Sequence, residues 1–255
     1  MPDPVVITRP QAQAVELQRR VAALGREAIV FPLLEIQPLP DNARLTKTLA
    51  ELEHYALVAF VSPNAIDAAF AARPDWPHDI PLAVVGEGSR QALQRHGVPA
   101  GTRIFCPTDP ERSDSEGLLQ ALDLHALRGR QVLIVRGESG RELLGDALRA
   151  AGAEVVAVAA YRRVAPPLDD ARRRQLEALL RRSSDWLITS SEALRNLLDM
   201  AAQLNLPDGT ATMQRQRLIV PHMRIAETAR ALGFSRIVQS RSGDDGLIAA
   251  LQSCS

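Results

Sequence analysis

Residues 131–152 read QVLIVRGESGRELLGDALRAAG, and this stretch decides the architecture. Gln131–Arg136 is a short apolar run, the pattern of a strand covered on both faces. Gly137–Gly140 is a glycine-rich turn. Arg141–Ala151 has helical periodicity, and Gly152 stands where a helix stops, because glycine enters the left-handed region without a Cβ penalty. Strand, turn, helix and glycine stop make one unit of a βαβ fold. The same unit stands 127 residues earlier, with Val5–Arg9 (VVITR) as the strand, Ala12–Leu24 as the helix and Gly25 as the stop.

The repeat continues. Leu57–Ala65 (LVAFVSPNA) recurs as Trp186–Ala193 (WLITSSEA), with the two alanines 128 residues apart. Glu116–Leu119 (EGLL) recurs as Asp245–Ile248 (DGLI), at an offset of 129. A self-match of this length predicts two similar domains with a cleft between them, and such clefts are where ligands usually sit. Further strands are expected at Ala28–Ile36, Ala56–Ser62, Leu82–Gly86, Arg103–Pro107, Glu154–Val164, Trp186–Ser190, Arg217–His222 and Arg236–Ser240. Ser89–His96 and Ile225–Leu232 read as helices, again closed by glycines at Gly97 and Gly233. The expectation is an α/β protein with doubly wound, mostly parallel sheets.

Phe31–Pro40 (FPLLEIQPLP) and Tyr161–Pro167 (YRRVAPP) break this rhythm at equivalent points of the repeats. Their prolines bias the backbone to extended conformations. If both are crossovers, residues 1–36 and 167–255 form one discontinuous domain, and residues 37–166 form a second, inserted one. The competing division is two consecutive halves; the paired connectors favour the crossover.

Composition narrows the function. The chain has 255 residues, of which 46% are hydrophobic and 24% charged, the balance of a globular protein. Its formal net charge is zero, so no global field draws it to nucleic acid or a membrane. No apolar run reaches the roughly 18 residues of a membrane span. MPDPVVITRP has neither a basic n-region nor an apolar core, so no signal peptide is read. Cys106 and Cys254 stand far apart, which fits a reducing compartment, and the expected location is the cytoplasm. Lys47 is the only lysine. The arginines that replace it elsewhere are a general bias at surface positions, and bidentate forks for carboxylate or phosphate where placement allows.

Several chemistries find no support. His54, His78, His96, His125 and His222 lack ligand spacing, so no metal is expected. Gly86-Glu87-Gly88 begins like a dinucleotide fingerprint, but Gln91 stands where the third glycine belongs. Arg136–Arg141 (RGESGR) lacks the Lys-Ser/Thr ending of a Walker loop, and suits a carboxylate or lone phosphate better than ATP. No nucleophile elbow or Cys–His signature occurs.

What remains are turns that hand a strand to a helix. Ser62-Pro63-Asn64 and Thr189-Ser190-Ser191 place hydroxyls at helix N-termini. They read as ordinary N-caps, and equally as anion sites at the edge where open α/β sheets bind ligands. Gly86 and Ser89 mark a third such turn. Arg9, Arg136 and Gly137 lie at paired strand ends, and His222 and Arg224 at the last. Tyr161 starts the second connector beside Arg162 and Arg163. There it is a core residue with one satisfied hydroxyl, or a proton donor.

In their order and spacing these motifs resemble those of bacterial uroporphyrinogen-III synthases over nearly the whole chain. The motifs are Ile7–Pro10, Phe31-Pro32-Leu33, Val61–Ala65, Val85-Gly86, Ser115–Leu119, Leu133–Gly137, Ala160-Tyr161-Arg162 and Thr189–Ser191. The resemblance implies two three-layer α/β/α domains joined by a two-stranded β connector. It implies an enzyme that takes the linear tetrapyrrole hydroxymethylbilane, loses water and closes the macrocycle with the last ring inverted, with no cofactor. It implies a hydro-lyase, monomeric, whose partners are its eight-carboxylate substrate and, transiently, hydroxymethylbilane synthase. Tyr161 falls on the family's tyrosine for hydroxyl departure. Ser62, Ser89, Ser190 and Ser191 would hold carboxylates, with Arg9 and Arg136 as partners. Pro221–Ile225 (PHMRI) departs from the family's Gly-x-Thr-like turn, which leaves that contact to His222 or Arg224. The alternative reading is a two-domain binding protein for a small anion, or a transferase, without this activity.

Overall fold

The computed structural model describes residues 3–98, 101–109, 115–204, 206 and 208–253. The chain opens with β1 (Val5–Ile7), α1 (Gln11–Ala23), β2 (Ala28–Val30), β3 (Glu35–Pro38) and α2 (Ala43–Ala50). It continues through β4 (Leu57–Phe60), α3 (Pro63–Ala72), β5 (Leu82–Val84), α4 (Glu87–Arg95), β6 (Ile104–Phe105) and α5 (Ser115–Ala121). Then come β7 (Gln131–Gly137), α6 (Leu143–Ala150), β8 (Glu154–Val164) and α7 (Asp170–Leu180). The last part holds β9 (Asp185–Leu187), α8 (Ser191–Ala202), α9 (Gly209–Gln214), β10 (Arg217–Val220), α10 (Met223–Ala231), β11 (Arg236–Gln239) and α11 (Gly243–Ser253).

Two compact units result: Met1–Glu35 with Val164–Ser255, and Ile36–Arg163. The first has the sheet order β11-β10-β9-β1-β2, and the second β3-β8-β7-β4-β5-β6. Read from the opposite edge, the second sheet is β6-β5-β4-β7-β8 with β3 added. The two orders therefore match strand for strand, with β1 in the place of β7, β2 of β8 and β9 of β4. In the first unit β1 pairs in parallel with β2 and β9, and β10 with β9 and β11. In the second, β4 pairs in parallel with β5 and β7, β5 with β6, and β7 with β8. The α/β class and mostly parallel sheets expected from the sequence are what the structure shows.

Each sheet is covered on both faces, which is why its strands read as unbroken apolar runs. Val6, Trp186, Leu218 and Val220 join one cluster of the first unit, whereas Val5, Ile7, Leu187 and Ile219 join the other. The second unit alternates in the same way. Val58, Phe60, Leu133 and Val135 face one side, and Leu57, Ala59, Val132 and Ile134 the other. The helix stops fall where the glycines stand, with φ of 73° at Gly25, 67° at Gly97, 92° at Gly152 and 85° at Gly233.

One expected strand is corrected. Ala28–Ile36 is not continuous but splits into β2 and β3, which belong to different sheets. Phe31 and Leu33 still donate their amides to Ile7 and Thr8, at 2.9 and 3.1 Å, but Pro32 between them has no N–H to continue a ladder. Side chains hold the stretch instead. The Arg172 guanidinium lies 4.4 Å from the Phe31 ring centroid and donates to the Pro32 carbonyl at 2.6 Å. Asn196 donates to the Leu33 carbonyl at 3.0 Å. Burial of Arg172 in this role pulls its pKa below the ordinary arginine value, against the opposing charges of Asp169 and Glu35.

The first unit also buries a charge that has no counterpart among the described residues of the second. Asp185, at the start of β9, accepts from Arg26 at 2.7 Å and from Arg217 through two guanidinium nitrogens. Leu57 occupies the matching place on β4, within an apolar cluster. No helix among the described residues is long and apolar enough to cross a membrane. Cys254 lies outside the described residues, and Cys106 is a free thiol.

Candidate functional site

Because the ladders are parallel, the turns that follow the strands collect on one edge of each sheet. In the second unit these are the turns after β4, β5 and β7. Ser62 caps α3: its backbone is extended, Pro63 takes the first helical position, and its Oγ accepts the Ala65 amide at 3.2 Å. The same Oγ meets the Tyr161 hydroxyl at 3.0 Å, across 99 residues of sequence. Tyr161 is only 6% exposed and sits within β8, not beyond it. Gly137, the last residue of β7, is buried against its ring. Ser62, Gly137 and Tyr161 thus come together as one cluster.

Tyr161 also lines a cavity of about 340 Å³ with Ile36, Leu45, Asn64, Asp67 and Ala68. That is within the size of small-molecule sites. A larger cavity of about 610 Å³ opens at the strand starts, beside Leu57, Pro81 and Arg103. It lies at the edge where open α/β sheets do not usually bind ligands, so volume alone does not mark the site.

Other expected residues take different roles. Gly86 is the N-cap residue of α4 in an extended conformation that any residue could adopt. Ser89 lies inside the first turn of α4 and is buried, at 3% exposure. Arg136 forms an ion pair with Glu142. The arginines beside the tyrosine are also engaged: Arg162 donates to Gln37 at 3.0 Å and Arg163 to the Ser139 carbonyl at 3.1 Å. At the same edge the Cys106 thiol has its pKa raised, first by burial and then by the charge of Glu87, with Arg90 opposing.

The first unit has its own set. Ser190 caps α8 by accepting the amides of Glu192 and Ala193, at 3.2 and 3.4 Å. Thr189 precedes this cap and is half-buried. Ser191 bonds to the Thr228 hydroxyl at 3.0 Å, while Thr228 donates its one proton to the Arg224 carbonyl at 2.9 Å. Ser191 must therefore be the donor to Thr228, and its proton is occupied in this arrangement. Arg9 pairs with Asp244 at 2.6 Å. His222 is the N-cap residue of α10, with Nδ1 3.4 Å from Ser242, and Arg224 is exposed.

A model of the family described as uroporphyrinogen-III synthase HemD matches residues 15–249. The chain is 34% identical to the uroporphyrinogen-III synthase of Escherichia coli (strain K12), over 97% of this chain and 99% of that one. It is 35% identical to that of Salmonella typhimurium, with the same coverage. The chain belongs to the uroporphyrinogen-III synthase family. Solved structures of uroporphyrinogen-III synthases agree in fold. That of Helicobacter pylori matches with a TM-score of 0.65 at 15% identity, over 99% of this chain and all of the other. A mutant from the extreme thermophile Thermus thermophilus matches with a TM-score of 0.57 at 16% identity, over 98% and 99%.

For this family member, sequence motifs located the turns but missed the partners within them. Asp244, Glu142 and Thr228, which occupy Arg9, Arg136 and Ser191, lie in segments without a motif. Thr228 alone had a local signal, four residues after Arg224, where a helical hydroxyl reaches back to a carbonyl.

Proposed function

We propose that the chain converts hydroxymethylbilane to uroporphyrinogen III, as a hydro-lyase of the cytoplasm that acts as a monomer without a cofactor and meets hydroxymethylbilane synthase transiently. Family membership supports the activity. The observation that carries the chemistry is the Tyr161 hydroxyl, 3.0 Å from Ser62 Oγ, on a residue that lines the cavity.

In this reading the C–O bond to the terminal hydroxyl breaks with its electron pair on oxygen. The oxygen takes a proton from Tyr161 and leaves as water. The azafulvenium cation that remains closes onto the last ring through a spiro-type intermediate, and the proton released when the pyrrole regains its aromaticity restores the Tyr161 hydroxyl. Because the substrate is reactive, positioning contributes more than acid strength. Carboxylates need donors, and each unit offers a set of its own: backbone N–H groups at the N-termini of α3 and α4 with Ser62 and Asn64 in the second, and of α8 and α10 with Ser190 and Thr189 in the first. Arg9 and Arg136 contribute by exchanging Asp244 and Glu142 for a substrate carboxylate. His222 and Arg224 stand at the turn where the family's hydroxyl contact is missing.

The test is to supply freshly generated hydroxymethylbilane, oxidise the products and separate the uroporphyrin isomers. Type III in large excess is the expected outcome. Type I alone, as in an enzyme-free control, would sink the proposal and leave the anion-binding alternative.

A further inference from the structure

The β7–β8 ladder holds a device that none of the motifs shows. Its register runs evenly from Gln131↔Glu154 to Arg136↔Ala159, and then jumps to Gly137↔Tyr161. Ala160 is the extra residue of a β-bulge. Before the bulge, β8 alternates: Val156 and Val158 face the cluster that contains α3, while Val155 and Ala157 face the opposite side of the sheet. Continued alternation would send Tyr161 to the side of Val155 and Ala157. It lies instead in the same cluster as Val158 and Ala160. The bulge has turned the tyrosine to the face where Ser62 stands.

Gly137 makes room for the result. A Cβ built there would lie 3.0 Å from Tyr161 Cζ and 3.2 Å from both Cε2 and Oη. The crowded group is a packed aromatic ring, not a flexible chain end, so it cannot yield without moving its hydroxyl. Gly137 is not in the left-handed region, so space and not backbone freedom is what calls for glycine. The register is held further by Glu138, whose amide donates to the Tyr161 carbonyl at 2.8 Å.

Ser62 completes the arrangement. Its Oγ already accepts the Ala65 amide, and its own proton is available for the Tyr161 oxygen. With Ser62 as donor, the tyrosine keeps its proton for another acceptor. We propose that Gly137, the bulge at Ala160 and Ser62 form a positioning unit that aims the Tyr161 hydroxyl at the departing oxygen of the substrate. Gly137 thus acts through the tyrosine and not by touching substrate. This rests on the reading that Tyr161 serves the reaction.

The chain has two tyrosines, so labelling the ring Cζ with ¹³C gives two NMR signals, assigned by Tyr161→Phe. Gly137→Ala and Ser62→Gly should each shift the Tyr161 signal and leave that of Tyr55 in place; glycine is nearly as good a helix cap as serine. Gly137→Ala should lower kcat with hydroxymethylbilane by about 10–100-fold, with a smaller change in KM. In a Tyr161→Phe background it should have less than a twofold further effect. An unmoved Tyr161 signal in both variants overturns the positioning unit. So does a Gly137→Ala loss that multiplies in full with that of Tyr161→Phe. A moved signal with wild-type turnover in Tyr161→Phe removes the tyrosine from the reaction, and the proposed aim of the unit falls with it.

Discussion

The strands β2 and β8 hold the same place in two matching sheets, beside β1 and β7, the first strands of their repeats, yet they end differently. β2 stops after three residues, and Pro32 takes the chain out of the sheet. β8 runs for eleven residues, passes through a bulge and carries Tyr161 near its end. The residue of the first repeat that corresponds to Tyr161 is Leu34, a buried packing residue. One duplicated strand therefore became a link and the other a platform. The difference lies in one proline that removes a ladder donor and one glycine that leaves room for a ring.

The largest effect expected from this asymmetry is on stability. Asp185→Ala leaves Arg26 buried without its carboxylate and should cost about 3–5 kcal/mol in denaturant unfolding. Converting the first unit to the apolar solution of the second, with Asp185→Leu, Arg26→Met and Arg217→Met together, should recover most of that loss. A triple variant as unstable as Asp185→Ala would show that the two solutions are not interchangeable. Next comes turnover. Tyr161→Phe should lower kcat by about 100-fold, the lower range for a proton donor, at unchanged unfolding midpoint. The matching Leu34→Met should keep wild-type kcat and lose less than about 1.5 kcal/mol of stability. Equal turnover losses in the two variants would erase the distinction between link and platform. The smallest effect separates the two serine caps. Ser190→Ala should cost about 1 kcal/mol of stability and raise KM with kcat nearly unchanged, while Ser62→Ala should cost as much and lower kcat as well. Equal kinetic losses would place Ser190 in the chemistry alongside Ser62.

The parallel α/β architecture was legible because the inner strands are covered on both faces, so their composition is nearly free of polar interruption. The four glycine stops were legible because only one residue type takes a left-handed turn without cost. The split of Ala28–Ile36 was not, since an apolar run reads alike whether it stays in one sheet or feeds two. The site was half-legible. Ser62 and Tyr161 were singled out separately, but nothing local states that residues so far apart share a hydrogen bond. Ser89 shows the opposite failure: its motif is that of an exposed turn, while its place in the first turn of α4 leaves the residue buried. The ion pair of Arg9 was hidden because Asp244 arrives from a distant segment, and that of Arg136 because Glu142, just beyond the turn, belongs to no motif.

The strand β1 sits between β2 and β9 in the first unit, and β9 follows it by about 180 residues. On a ribosome adding about 5–20 residues per second, that interval is roughly 10–35 s. During it the apolar Val5–Ile7 has β2 and α1 for company, but no β9 on its other side. Every strand of the second sheet is synthesised in that same interval, so the inserted unit can close while the outer one waits. The interleaved repeat thus writes an assembly order into the gene: the late strands β9 to β11 complete a sheet whose β1 was made long before them.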